Sequence, residues 1–367
     1  MNRGAREILI GLNLIPEMTP RRMALLLERF DSPQEIWTAP ASALSTVPGL
    51  ARVADRIAQA RSETALDREL QQAEQLGATL VTMIDPGYPA VLREIETPPP
   101  VLAVHGIPTI DSTRALAVVG TRRATAYGRG VSRRLASDLA RLGLTVVSGL
   151  AYGIDTAAHR GALDVGGLTV AVLGSGLARP FPAGNRRLME AIASSGTVLS
   201  EYPLSARPTK WSFPQRNRII SGLCRGVIVV EAPQRSGALI TARLALAQGR
   251  DVFAIPGPIT SSASVGTNRL LRDGAALVET AQDVINAFPD LAAALPTQTD
   301  RRMREAVSRL SPQEKRIYEL IGLEPLHIDA IISRADVPPA QAAECLLALQ
   351  FAELIQEVEG RRYIRRP

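Results

Sequence analysis

The stretch Ala115-Leu-Ala-Val-Val-Gly-Thr-Arg-Arg-Ala-Thr-Ala-Tyr-Gly128 passes from an unbroken apolar run, through a turn, into a helical pattern. Leu116–Val119 shows no polar alternation and reads as a strand buried on both faces. From Gly128 to Leu142, the residues Val131, Leu135, Leu139 and Leu142 recur at helical spacing. Working outward, the same texture repeats. Strands are expected at Thr145–Val147, Thr169–Leu173, Val198–Leu199, Gly226–Val230, Asp251–Ile255 and Ala276–Val278. Helices are expected between them at Asp155–Leu163, Asn185–Ser194, Asn217–Leu223, Gly237–Gln248 and Asn268–Arg272. This alternation predicts an α/β fold built on a Rossmann-like doubly wound parallel sheet.

The flanks have a different texture. Residues 1–80 read as a helical domain, with helices at Ala5–Leu14, Pro20–Phe30, Pro33–Thr38, Ala51–Arg61 and Thr64–Leu76. The turn Ser45-Thr-Val-Pro-Gly-Leu50 reads as a structural αα-hairpin, whose glycine serves the backbone. Residues 81–287 form the sheet domain, opening with a lead-in segment, 81–114, of short strands broken at Asp85–Pro89 and Pro98–Pro100. The lead-in is expected to pack against the domain that follows. A linker is expected over 288–303, then a unit over 304–367. Ser311-Pro-Gln-Glu314 carries the signature of a capping box with proline at the first helical position. Helices ending near Gly322 and at His327–Arg334 and Pro338–Gln350 follow, then a hairpin of Ile355–Val358 and Tyr363–Arg365. That order predicts a winged helix-turn-helix.

Composition narrows the function. The 367 residues are 46% hydrophobic, enough for packed cores, and no apolar run approaches the length of a bilayer span. Met1–Leu14 contains Arg3 and Arg6 without a long apolar stretch, which argues against a signal peptide. Cys224 and Cys345 form no Cys-x-x-Cys pair, so neither a disulfide framework nor a zinc site is expected. A cytoplasmic protein without membrane contact is the expectation. The net charge of +6 is unevenly spread. Residues 121–220 hold fourteen basic residues against five acidic ones, a local excess of +9, so the remainder sums to −3. Only Lys210 and Lys315 are lysines, which marks an arginine-rich composition but does not explain the clustering. A polyanionic partner does.

The turns refine that reading. Gly120–Gly128 joins strand to helix, where backbone N–H groups and the helix dipole favour an anion. It is not GxGxxG, and the second strand ends in Ser148-Gly149 without an acid for a ribose, so a dinucleotide fingerprint is absent. Arg122 and Arg123 stand where guanidinium groups would clasp a phosphate. In Ser148-Gly-Leu-Ala-Tyr-Gly-Ile-Asp155, Asp155 is expected to cap the next helix and pair with His159 four residues on. Further turns carry Gly174-Ser-Gly176, Pro182-Ala-Gly-Asn-Arg-Arg187 and Trp211-Ser-Phe-Pro-Gln-Arg-Asn-Arg218. Tyr127, Tyr152, Phe181, Trp211 and Phe213 all fall in these turns. Cations for a backbone beside rings for bases are what a single-stranded nucleic acid requires. No nucleophile–base pair, GxSxG elbow or Walker motif occurs, so no catalytic residue, metal or cofactor is expected.

At these residues the chain resembles the DprA/Smf family of DNA-processing proteins. The motifs are Val119-Gly-Thr-Arg122, Ser148-Gly-Leu-Ala-Tyr-Gly-Ile-Asp155, Phe213-Pro-Gln-Arg-Asn-Arg-Ile-Ile220 and Ser236-Gly-Ala-Leu-Ile-Thr241. Pro256-Gly257 and Ser264-Val-Gly-Thr-Asn268 continue the match. Thr121 stands where most members have Ser and keeps the hydroxyl. The resemblance implies a non-enzymatic recombination mediator of natural transformation. Such a protein binds single-stranded DNA, loads the RecA recombinase and forms a homodimer through its Rossmann domain. It also implies a sterile-alpha-motif-like (SAM-like) helical domain before the sheet and a winged helix after it. The expected DNA contacts are Gly120, Thr121, Arg122, Arg123, Ser148, Gly149, Gly153, Asn185, Arg186, Phe213, Arg216, Asn217, Arg218, Ser236 and Gly237. Two other readings compete. A nucleotide-processing enzyme of the lysine-decarboxylase-like Rossmann group would need a PGGxGTxxE loop, where this chain has Ala232-Pro-Gln-Arg-Ser-Gly237. A duplex-DNA regulator would need basic side chains on Pro338–Gln350, which has none.

Overall fold

Strands buried on both faces need helices on both sides, and the chain supplies them in alternation. The computed structural model describes residues 3–61, 64–294, 306–307, 309–322 and 324–366. It divides into two compact units, Met1–Ala293 and Ala294–Pro367.

The first unit is centred on a nine-stranded sheet among the described residues. Its strands are β1 (Ala78–Thr82), β2 (Val101–Gly106), β3 (Ala115–Val119), β4 (Thr145–Ser148), β5 (Thr169–Leu173), β6 (Thr197–Ser200), β7 (Gly226–Val229), β8 (Asp251–Ala254) and β9 (Ala276–Leu277). Their order is β1-β2-β6-β5-β4-β3-β7-β8-β9. From β6 to β9 all neighbours are parallel. The chain winds outward from β3 through β6, then returns to β3's other side as β7. The reversal of order therefore falls between β3 and β7, and their carboxyl ends define the crevice of a doubly wound sheet.

Among the described residues six helices precede the sheet: α1 (Ala5–Asn13), α2 (Pro20–Arg29), α3 (Pro33–Thr38), α4 (Ala41–Ser45), α5 (Ala54–Ala60) and α6 (Ala65–Gln75). Thr19 and Ser32 cap α2 and α3 ahead of prolines at the first helical position. Helix α4 is too short to leave a periodic trace and was not expected. After α7 (Ala90–Arg93) come α8 (Ala126–Arg141), α9 (Ile154–Leu163), α10 (Arg186–Ser195), α11 (Ser212–Gly222), α12 (Gly237–Ala247), α13 (Val265–Arg272), α14 (Ala281–Asn286) and α15 (Pro289–Ala294).

Alternate residues of each strand feed opposite cores, as the two-residue period requires. Val170 and Val172 join Val119, Val227 and Val229 beneath Ile219 and Ile220 of α11 and Ala242 of α12. Ala171 and Leu173 face the other way, onto Leu188, Met189 and Ile192 of α10. That second core also takes in Ile10 of α1 and Leu66 and Ala73 of α6.

The lead-in segment differs from expectation. Its strands do not merely pack against the sheet; β1 pairs antiparallel with β2, and β2 pairs antiparallel with β6, extending it. Such pairing between distant segments leaves no local signature. Strand β1 also begins before residue 80. Polar bonds fasten the helical segment to the sheet domain, among them Arg6 Nη2 donating to Leu80 O, Asn13 Nδ2 to Glu201 O, Leu204 N to Glu69 Oε1 and Ser205 Oγ to Gln72 Oε1.

The second unit contains α16 (Pro312–Leu320), α17 (Ile328–Ala335) and α18 (Pro339–Phe351), with β10 (Leu326–His327), β11 (Ile355–Val358) and β12 (Arg362–Arg365). The capping box is present: Ser311 N donates to Glu314 Oε2 at 2.7 Å and Glu314 N to Ser311 Oγ at 3.3 Å. Strand β12 pairs with both β11 and β10, so the expected hairpin becomes a three-stranded sheet, the wing of a winged helix. The expected linker, 288–303, is helical at its start in α15; positions 295–303 lie outside the described residues. Among the described residues no helix is long and apolar enough to cross a membrane.

Candidate nucleic-acid interface

A cleft of about 620 Å³ opens at the carboxyl ends of β3 and β7. One wall is the turn after β3, with Gly120, Thr121, Arg122 and Arg123. The opposite wall is the turn after β7 and the start of α12, with Arg235, Ser236 and Gly237. Helix α11 crosses between them. It begins at Ser212, five residues earlier than the sequence pattern suggests, because Pro214 falls in the first turn, where it costs no hydrogen bond. Ser212 Oγ donates to Gly174 O at 2.6 Å and anchors that start. The residues expected on a turn are therefore spaced along a helix. Phe213, Arg216, Asn217 and Ile220, at i, i+3, i+4 and i+7, share the face that lines the cleft.

Arg122, Arg123, Lys210 and Arg235 bring four exposed cations to the walls. No carboxylate among the described residues forms an ion pair with any of them. Aromatic rings lie among them. The Arg122 guanidinium stands 4.9 Å from the centre of the Phe213 ring, and Phe213 lies 5.4 Å from Phe181. Tyr152 and Phe181 are 50% and 42% exposed, which leaves their faces free to stack. Lys210 covers the ring of Trp211, itself exposed. Tyr127 does not line the cleft.

Arg216 is buried beneath this surface. Its guanidinium donates to Gly149 O at 2.7 Å and to Val172 O, and its Nε to Asn217 Oδ1. Burial lowers its pKa to about 10, with Asp155 opposing the shift and Arg122 adding to it, so it stays charged at neutral pH. Asn217 reaches Gly237 O and links α11 to the start of α12.

The other expected contacts hold the cleft from behind. Ser148 Oγ donates to Val118 O, tying β4 to β3. Gly153, at φ +81°, passes so near the neighbouring turn that a Cβ would lie 2.3 Å from Thr121 O. Asn185 is buried and donates to Leu150 O, fixing a leucine in left-handed conformation at φ 57°. Arg186 is exposed in an i,i+4 pair with Glu190. Arg218 points away from the cleft: its guanidinium meets Glu201 bidentately at 2.8 and 2.6 Å, both side chains at most 10% exposed.

The expected pairing of Asp155 and His159 does not form. Gly153 takes the cap position of α9, and Asp155 instead accepts from Gly149 N and Ala151 N, closing its own turn. His159 faces the sheet. Thr169 Oγ1 donates to Val146 O, so the histidine's Nδ1–H donates to Thr169 Oγ1 at 2.7 Å. Burial pushes its imidazole down to about 3. The unfolded chain therefore takes up this proton first on acidification, and stability falls as the pH drops from 6.5 towards 3. Between pH 7 and pH 5 His159 should cost about 2 kcal/mol. Burial raises Asp155, and its contribution runs the other way. His159→Asn keeps the donor to Thr169 and should flatten the curve of stability against pH. Urea midpoints at pH 7, 6 and 5 test this, and parallel curves for the two proteins would refute it.

Three candidate positions at or beside the cleft escape the sequence reading. Lys210 is one of two lysines in an arginine-rich chain, and that oddity is its only signal. Arg235 directly precedes Ser236-Gly237. Glu231 stands just past the end of β7 at the switch in strand order, and its side chain is buried.

Fold and cleft together define a Rossmann-like α/β protein whose switch-point crevice is cationic and aromatic, joined in one chain to a winged helix. Residues 79–289 match the family model described as DNA recombination-mediator protein A, and residues 301–361 match the DprA winged helix domain. The chain belongs to the DprA/Smf family. It is 34% identical to Protein Smf of Synechocystis sp., the match covering 95% of each chain. It is 41% identical to the putative DNA processing protein DprA of Mycobacterium tuberculosis, over 82% of this chain and 81% of that one. The X-ray structure of DNA processing protein A from Streptococcus pneumoniae superposes with a TM-score of 0.69 at 36% identity, covering 81% of this chain and all of that one. DNA processing protein A from Helicobacter pylori, whose structure was described for its single-stranded DNA binding mode, gives 0.51 at 32% identity over 58% of this chain and 96% of its own.

Proposed function

We propose that the cleft binds single-stranded DNA with little sequence preference. The observation that carries this reading is the union of Arg122, Arg123, Lys210 and Arg235 with the exposed ring of Phe181 and the half-buried ring of Phe213 in one crevice. Unpaired cations follow a phosphate backbone, and rings stack on bases that a duplex would hide. The Helicobacter pylori relative, described as binding single strands, supports it. On this reading the contacts are Gly120, Thr121, Arg122, Arg123, Phe213, Ser236 and Gly237. Ser148, Gly149, Gly153, Asn185, Arg216 and Asn217 shape the walls, and Arg218 serves the fold. The exposed positions Glu344, Leu347 and Phe351 of α18 offer a duplex no cation, which disfavours a major-groove reader.

The protein then acts as a mediator without catalysis. As a homodimer it holds incoming strands during transformation and delivers them to the RecA recombinase. The family's description as a recombination mediator supports this step. Gel shifts with matched single- and double-stranded oligonucleotides across a salt series test the first claim. Single strands are expected to bind more tightly, and equal binding of duplex at moderate salt would refute it. RecA filament growth on strands precoated with single-strand-binding protein tests the second. Acceleration is expected, and its absence with the cognate recombinase would remove the mediator role.

A further inference from the structure

We infer that Glu231 is a positioning and specificity-determining residue of the cleft: it holds the Arg122–Arg123 turn in place for a DNA backbone and closes the cleft to free nucleotides with its own carboxylate. The first half rests on the single-strand reading above; the second does not.

In a Rossmann-like sheet, the helix after the first strand points its N-terminus at the crevice, and dinucleotide-binding members seat a pyrophosphate there. Here that helix is α8, sixteen residues long. Its N-terminus is taken. Glu231 reaches across from the end of β7, and its Oε2 accepts from Thr125 N at 2.9 Å while its Oε1 accepts from Thr125 Oγ1 at 2.5 Å. Thr125 is the cap residue, and its Oγ1 in turn accepts from Gly128 N at 3.0 Å. Gly128 makes room for the acid: a Cβ there would stand 2.2 Å from the carboxylate carbon. A carboxylate only 3% exposed is costly unless it is bonded, and the cap together with the helix dipole satisfies it.

The same residue holds the other end of the turn, since Thr121 N donates to Glu231 O at 2.7 Å. Thr121 and Thr125 thus hang from one residue, and Arg122, Arg123 and Ala124 span the interval between them. Arg123 N adds a bond to Thr121 Oγ1. The wall carrying two of the cleft's four exposed cations is therefore fastened to the strand that leads into the opposite wall. An acid beside a polyanion site would ordinarily repel the ligand. This one is spent on the helix, and the exposed cations remain unopposed.

The test uses the full chain with two probes, labelled oligo-dT by fluorescence anisotropy and inorganic pyrophosphate by calorimetry. Glu231→Ala should lose about tenfold in affinity for oligo-dT, the scale of one displaced charge-assisted contact. Arg122→Ala should cost less in that background than in the wild type, because the turn is no longer held. Glu231→Ala should also bind pyrophosphate, which the wild type should not. Glu231→Gln retains shape and hydrogen bonds and should restore most of the DNA affinity. Thr125→Val, which removes the hydroxyl's bond to Glu231 together with its cap bond from Gly128 N, gives a separate arm and should weaken oligo-dT binding a few-fold. Unchanged oligo-dT affinity in both a folded Glu231→Ala protein and Thr125→Val would overturn the positioning role, as would strict additivity with Arg122→Ala. Pyrophosphate binding to the wild type would overturn the exclusion. If the wild type itself ignores oligo-dT, the single-strand reading fails, and the pyrophosphate arm still decides whether Glu231 guards the helix.

Discussion

Replacing Glu201 by alanine is expected to cost about 3–5 kcal/mol of folding stability. The Arg218 guanidinium is buried, and Glu201 supplies its only carboxylate among the described residues. Removing that partner leaves a charge in the interior, answered by neutral oxygens alone: Thr97 O, Thr97 Oγ1 and Gln215 O. Neutral acceptors do not offset the desolvation of a cation. The double variant Glu201→Ala with Arg218→Met should recover much of the loss, because removing both charges removes the penalty. Both tryptophans, Trp37 and Trp211, lie in the first unit, so their fluorescence during urea unfolding follows that unit alone. A loss below about 1 kcal/mol would mean the pair is effectively solvated.

Alanine at Arg122, Arg123, Lys210 and Arg235 together should lower single-strand affinity by about a thousandfold, near 4 kcal/mol, since charge-assisted contacts contribute about 1 kcal/mol or more each. The slope of log affinity against log salt should shrink by about 3, at roughly 0.7 per phosphate contact removed from a single strand. What remains should be stacking on Phe181 and Phe213, weak and nearly insensitive to salt. All four side chains are exposed, so the unfolding midpoint should not move. Anisotropy titrations at several salt concentrations give both quantities. A tenfold loss with an unchanged slope would place the phosphates elsewhere, with Arg361, Arg362, Arg365 and Arg366 of the winged helix as the next candidates.

The parallel sheet was legible because each strand is a short apolar run and each helix repeats with its own period. The turn after β3 was legible because arginines interrupt an apolar texture. The misreadings share a cause. Strands β1 and β2 are recognisable locally, but β6, the partner that joins β2 to the sheet, lies about a hundred residues further along. The start of α11 has the look of a turn because proline and aromatic residues crowd it, although a first helical turn accepts proline. Asp155 and His159 stand one helical turn apart, yet the sheet beside α9 offers His159 a hydroxyl and the preceding turn offers Asp155 two N–H groups. Arg218 and Arg122 look alike as letters. Only the packing around them separates a buried ion pair from an open cation, and Glu231 gave no hint of where its side chain would go.

The antiparallel pair β1 and β2 also bears on how the protein could be dissected. The helical segment and the sheet share a core through Ile10, Leu66 and Ala73, and β1 is the outer rail of the sheet itself. A fragment beginning at residue 81 would keep two of β1's five residues. It would strip β2 of its neighbour and present a bare row of amide and carbonyl groups above an uncovered apolar patch, the makings of a sticky edge. The natural seam for a soluble fragment lies at the other end, near residue 294, where the chain already parts into two bodies.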